Sequence, residues 1–230
     1  MENINVENRK VILDTLLDKS ALKQDIIQDT KRVFHDLRKV IDEEVGYFKS
    51  SLTDERIRMQ YVNKGDYETH VYVGSDVLLF HMHTNVFLLP RNHPYWEKQY
   101  LKEHPENGYF GIVYIYNFLA ESLIQGRYND PGYLIGRIFI NREGRFFVEG
   151  KGALGEQFTD IEEGTMCDEI LRNILHTSFS YALDFDLLTP PYEIVSQISV
   201  QQVQAISNSL NMQTGKRLGF KFEAEEAENF

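Results

Sequence analysis

Two histidines, His81 and His83, stand in the middle of the stretch V-G-S-D-V-L-L-F-H-M-H-T-N-V-F-L-L-P from Val73 to Pro90. In an extended chain that spacing puts both imidazoles side by side on one face, which is how many metal sites acquire two nitrogen ligands. A carboxylate from a neighbouring strand, Glu68 or Asp66, could supply a third ligand or orient an imidazole. Three nitrogen and oxygen ligands suit zinc or iron, and a metal held by His81, His83 and Glu68 is the basis for reading the chain as a metal-dependent hydrolase. Sharper metallo-signatures are missing. A cupin would place a glutamate a few residues after the second histidine, where Thr84-Asn85-Val86-Phe87 stands. The same face also reads as a polar ligand pocket built from His81, His83, Glu68, Asp66 and Asn85. The plainest reading is a sheet surface held by acid–histidine pairs, worth about 0.2–1 kcal/mol each.

Glu149-Gly150-Lys151 imitates the E-x-K half of the PD-(D/E)XK nuclease signature. That chemistry also needs an aspartate beside the Glu and Lys to hold a divalent metal. The upstream candidate is Asp130. The residue expected opposite Glu149 is instead Arg137, which predicts a cross-strand ion pair. Cys167 precedes a predicted helix, where a thiol pKa can be lowered, but His176 lies more than two turns further along the same helix. Gly150-Lys151-Gly152-Ala153-Leu154-Gly155 spells G-x-G-x-x-G, but the helix that should follow in a dinucleotide fingerprint is not expected here.

The elements that must position these residues follow from periodicity. Around the histidines, Leu78, Phe80, Met82, Thr84, Val86 and Leu88 point one way and Leu79, His81, His83, Asn85 and Phe87 the other, predicting one long half-polar strand. Asn63-Lys64-Gly65 fits a three-residue hairpin loop pairing Val62 with Asp66. Gly74-Ser75 fits a two-residue turn pairing Val71 with Leu78 and Thr69 with Phe80. In that register Glu68 lies across from His81 and Asp66 across from His83. Arg142-Glu143-Gly144 closes a second hairpin with Asn141 opposite Arg145, gathering Leu134, Ile138, Ile140, Phe146 and Val148 on one face. Glu97 to His104 reads as a short helix closed by Pro105. Between Tyr109 and Gly126, V-Y-I-Y is compatible with a strand, but a helix is expected from Tyr116 onward.

Upstream, Leu13, Ser20, Ile27, Phe34, Ile41 and Phe48 recur every seven residues from about Val6 to Ser50. Unbroken, that helix would be roughly 60 Å long, against a compact domain about 45 Å across. It must break at Asp18-Lys19-Ser20 and fold back, or project to meet a partner. Downstream, Thr165 and Asp168 resemble a capping box for a helix to about Asp184, Ser199 and Gln202 start another, and Arg217 to Phe222 reads as a last strand.

The 230 residues carry a formal net charge of −11, one cysteine and no long apolar run. The acidity disfavours nucleic acid, the single thiol excludes an internal disulfide, and a membrane span is not expected. The expected fold is α+β: an antiparallel sheet of five or six strands in residues 51–222, C-terminal helices on one sheet face, a helical segment over 1–50, and an acidic disordered tail over 223–230. The leading functional expectation is a cytoplasmic, non-enzymatic binding module whose His81/His83 face takes a protein or small molecule. A homodimer through the N-terminal helix is the further partner expectation. The alternatives are the metal-dependent hydrolase and the nuclease using Glu149 and Lys151.

Overall fold

The chain begins as one long helical arm. In the computed structural model, which describes residues 2–186, 189, 191–197 and 199–200, α1 (Glu2–Thr15) runs through a single π-helical turn (Leu16–Ser20) into α2 (Ala21–Ser51). The irregularity falls at Asp18-Lys19-Ser20, as periodicity indicates, yet the chain neither breaks nor reverses there. No proline or glycine interrupts the backbone, so the extra residue is absorbed as a wider turn. Residues 5–20 are all exposed. From Leu22 onward the helix is docked: Ile26, Thr30, Val33, Phe34, Leu37, Val40, Ile41 and Val45 recur at three- and four-residue spacing and are buried, the stripe expected of a helix lying on a sheet. It lies close against β-strand backbone at Gly111, where a Cβ would lie 1.9 Å from Thr30 Oγ1.

The strands are β1 (Met59–Asn63), β2 (Glu68–Val73), β3 (Asp76–Met82), β4 (Phe87–Leu88), β5 (Tyr109–Leu119), β6 (Tyr133–Ile140) and β7 (Phe146–Gly150). They form an antiparallel sheet in the order β1-β2-β3-β5-β6-β7, with β4 also on β5. The fold is therefore α+β. On one sheet face α2 and α6 (Asp168–Leu183) bury a single core that includes Phe34, Leu37, Ile41, Leu78, Phe80, Ile115, Ile138, Leu175 and Phe179. On the other, the excursion between β4 and β5, which carries the short α3 (Gln99–Glu103), builds a second cluster from Leu89, Leu101, Phe110, Ile112, Phe139, Phe147 and Ile161. A third, smaller one joins Tyr72, Val77 and Ala120, the first residue of the short α4 (Ala120–Ile124). A band of sheet lies open between them.

Several expectations shift, each for a physical reason. Val62 pairs with His70 rather than Asp66, because Arg38 of α2 organises a wider loop: its guanidinium donates to the carbonyls of Gly65 (2.7 Å) and Glu68 (3.0 Å) and to Thr69 Oγ1 (2.9 Å). The displacement is an even number of residues, so side chains keep their predicted faces. The β2–β3 register is as expected, with Val71 opposite Leu78 and Gly74 at φ +60°. The histidine strand ends at Met82, and residues 83–86 bulge before β4 rejoins β5 at Phe110. Tyr116–Leu119 is strand, not helix. β5 is the central strand, mostly buried on both faces, and its aromatic and β-branched residues suit that position. In β6 an irregularity opposite Ile115/Tyr116 leaves Leu134 paired with Tyr116 and 40% exposed, out of the expected apolar group. Ile138, Ile140, Phe146 and Val148 share the core face as expected.

Further on, a short helix, α5 (Ala153–Gln157), does follow the glycine-rich stretch. It packs so tightly that a Cβ on Gly155 would lie 2.3 Å from the Gly150 carbonyl oxygen. Helix α6 is capped by Cys167, not by a Thr165 capping box, with no side-chain cap bond. Thr165 instead bridges to Arg145. The expected helix from Ser199 falls almost wholly, and the strand Arg217–Phe222 and the tail 223–230 wholly, outside the described residues.

Helices α2 and α6 are tied by an ionic clamp. Arg172 donates from Nε to Glu44 (2.6 Å) and from its terminal nitrogen to Glu43 (2.6 Å), and His176 Nε2 lies 2.6 Å from the other Glu44 oxygen. Burial pushes the Glu44 carboxyl upward, but the hydrogen bonds from His176 and Arg172 outweigh it and hold the group below its ordinary 4.5. A carboxylate with a lowered folded pKa stabilises the fold above its unfolded pKa, and that contribution is lost as pH falls through the folded value. Glu44→Gln should therefore cost about 1.5–3 kcal/mol at pH 7, the range for hydrogen bonds to charged groups. The difference from wild type should shrink as pH falls below the ordinary glutamate range. Urea unfolding at pH 7, 5 and 3 reads this directly, and a penalty independent of pH would contradict it.

Candidate functional site

The open band on the sheet face away from α2 carries one continuous polar row. Glu68 pairs with His81, His81 with Tyr114, Tyr114 with Arg137, and Arg137 with Glu149. Because paired residues share a face, one side chain from each of β2, β3, β5, β6 and β7 lines up across the sheet. Four strand spacings make the row roughly 19 Å long. The second cluster borders it on one flank, through Phe87, Ile112 and Phe139. On the other flank come His70, Leu79 and Tyr116, and then α4.

The two ends of the row resemble each other. Glu68 sits between the buried His70, whose Nε2 is 2.6 Å from Oε1, and His81, whose Nδ1 is 3.5 Å from Oε2. Glu149 takes a hydrogen bond from Arg137 and lies 3.5 Å from His93 Nε2. Each carboxylate is thus fixed between two nitrogen partners. Between them Tyr114 and Tyr116 stack, their ring centres 5.9 Å apart at 29°. The Tyr116 phenol is pushed up by burial and by its neighbour Tyr114, so it remains a hydrogen-bonding hydroxyl at neutral pH. A cavity of about 240 Å³ opens beside the Glu149 end, lined in part by Phe87, Phe110, His93, Tyr114, Arg137 and Glu149. Close by, Tyr95 is pushed up to about 12 by burial and by the charges of Asp160 and Glu149.

The residues singled out in the sequence separate into two groups. Glu68 and His81 meet as the register requires. His83 sits in the bulge, where its Nδ1 accepts the Asn85 backbone N–H at 3.0 Å and its ring meets Phe87 edge-on at 4.7 Å. Asn85 is exposed at that bend. Asp66 does not reach His83. It borders a small cavity on the α2 side with Lys31, His35 and Arg38. Among the described residues no three His, Cys, Asp or Glu side chains converge as metal ligands.

Arg137 and Glu149 pair as predicted. The E-x-K pair itself diverges: Glu149 lies in the polar row, whereas Lys151 lines a separate cavity with Thr177 and Tyr181 of α6. Asp130 is bound by Ser122 Oγ at 2.6 Å and by Arg127. Cys167 is exposed, and His176 is held by Glu44. Tyr114, Tyr116 and His93 are members of the site that sequence reasoning did not reach. Reading β5 as a strand would have placed both tyrosines on the face of His81 by parity alone.

Comparison with known protein families, with curated proteins and with solved structures finds no match to this chain. No helix among the described residues is long and apolar enough to cross a membrane.

Proposed function

We propose that the protein is a binding module whose groove, built on the His81 face, takes a small planar polar ligand. The observation that carries this is the row Glu68–His81–Tyr114–Arg137–Glu149 with two stacked tyrosines at its centre. An aromatic platform offers a π-face to a flat ring. The groups flanking it offer donors (Arg137, His81) and acceptors (Glu68, Glu149) to the ring's edge. Arg137 offsets Glu149, and Glu68 is held between two imidazoles, which favours a hydrogen-bonding ligand over a strongly charged one. Few convergent polar groups on an apolar floor is the usual make-up of a small-molecule site.

Ligand-observed NMR with nicotinamide, adenine and benzamide as planar probes tests the reading. At least one should bind, and Tyr114→Ala should weaken it roughly fivefold to tenfold, as about 1–1.4 kcal/mol of ring stacking implies. Tyr114→Phe should retain most of the affinity. If no probe binds at millimolar concentration, or if Tyr114→Ala binds as well as wild type, the groove is not such a site.

The exposed α1 favours a second element of function, self-association. Val6, Val11, Ile12, Leu13, Leu16 and Leu17 are all more than half exposed along the arm, so a second copy of the same helix is the partner we propose for it.

A further inference from the structure

We propose that the segment Arg217–Phe222 adds as a strand along the outer edge of β1 and covers the apolar pocket beside that edge. This surface lies away from the groove, whose central strand is β5.

The edge is defined by the β1–β2 hydrogen bonds. Gly74 N–H donates to the Arg58 carbonyl and Lys64 N–H to the Glu68 carbonyl, both at 2.8 Å. Even-numbered residues of β1 therefore bond inward to β2. In an antiparallel ladder the alternate residues, Met59, Tyr61 and Asn63, then direct N–H and C=O outward. Among the described residues these groups have no backbone partner. An outer strand is usually protected by proline, charge or a bulge. The strand M-Q-Y-V-N has none of these. It is a template for strand addition.

Directly beside it lies an apolar cavity of about 410 Å³, lined in part by Phe48, Leu52, Ile57, Met59, Phe179 and Leu183. Leu52, Ile57 and Leu183 are 37%, 47% and 60% exposed, so this wall has no cover among the described residues. Leu183, the last residue of α6, lines this pocket, and the chain passes from it to Asp184 and Phe185, which line the neighbouring cavity with Lys151 and Tyr181. From Asp184 to Lys216 there are 33 residues, ample at about 3.3 Å each to return along β1.

The chemistry of that returning chain matches both features. Arg217-Leu218-Gly219-Phe220-Lys221-Phe222 alternates with period two. Added to β1, its Leu218, Phe220 and Phe222 would continue the face of Met59 and Tyr61 towards the pocket. The residues that follow, Glu223, Glu225, Glu226 and Glu228, are acidic; Lys64 stands at the end of β1, whereas Arg56 and Arg58 are already paired with Asp54 and Glu121.

Amide hydrogen exchange by NMR on the full chain tests the proposal. The Met59, Tyr61 and Asn63 amides should be protected in the wild type, independently of protein concentration. In the double variant Phe220→Asp, Phe222→Asp they should exchange at least tenfold faster, while the Ile115 and Phe80 amides keep their protection and so report an intact domain. Wild-type outer amides exchanging at unprotected rates would overturn the proposal, as would protection that survives the double variant. Protection that falls on dilution would mean that another copy supplies the covering strand, and overturns the intramolecular docking.

Discussion

Phe34→Ala should lower stability by about 3–5 kcal/mol, the usual penalty for emptying a large buried aromatic site, with the urea m-value unchanged. Phe34 is 2% exposed, packs in the core beneath α2, and has the Arg38 guanidinium 4.8 Å from its ring centre. Its loss removes packing on the strands and also the surface over which Arg38 reaches the β1–β2 loop. The informative control is Leu13→Ala. Leu13 precedes Phe34 by three heptads in the same seven-residue series, yet it is 57% exposed. At concentrations too low for self-association it should change stability by less than about 0.5 kcal/mol, as surface substitutions usually do. Urea unfolding of both variants reads the contrast. A Phe34→Ala penalty below 1 kcal/mol would mean that α2 is not docked on the sheet as described.

The second large effect concerns the arm. Wild-type protein should scatter light as a dimer at high micromolar concentration, and Leu13→Glu combined with Leu16→Glu should make it monomeric with an unchanged far-ultraviolet spectrum. An exposed apolar side chain forgoes about 1.5–3 kcal/mol relative to burial. With Leu13, Leu16 and Leu17 each more than half exposed, pairing has a substantial area to recover. Phe34 and Ile41 belong to the same series in sequence but are consumed by the domain core, so substituting them would unfold the protein instead of separating subunits. A wild type that stays strictly monomeric at high micromolar concentration removes the second copy as the arm's partner.

What could be read from sequence was governed by parity and by short turns. Gly74-Ser75 and Arg142-Glu143-Gly144 fix their hairpins within a few residues, so Glu68 opposite His81 and Arg137 opposite Glu149 followed from counting. The β1–β2 loop did not, since its shape depends on Arg38, 27 residues before Gly65. β5 was half legible because a central strand covered on both faces loses the alternation that marks an exposed one. That single ambiguity hid the groove, whose two tyrosines sit on the segment read as changing from strand to helix. The displacement of Asp66 from His83 followed from the same wide loop. No local pattern announces the bulge at residues 83–86.

The π turn at Leu16–Ser20 sets the aim of the arm. One additional residue in a turn rotates everything before it by about 100° about the helix axis. Residues in a single seven-residue series therefore do not form a single line in space: Leu13 and Leu16 are swung round relative to the row that Phe34 and Ile41 press on the sheet. Lys19 and Lys23 steady this joint, their ammonium groups 5.9 and 6.0 Å from the Tyr109 ring centre. An unbroken α-helix already drifts about 20° per seven residues, so Leu13 would stand about 60° from Phe34 without the wide turn, and the extra residue carries it further round, towards the side of the helix away from the buried row. Removing one residue from the turn should re-aim the arm while leaving the domain as stable as before.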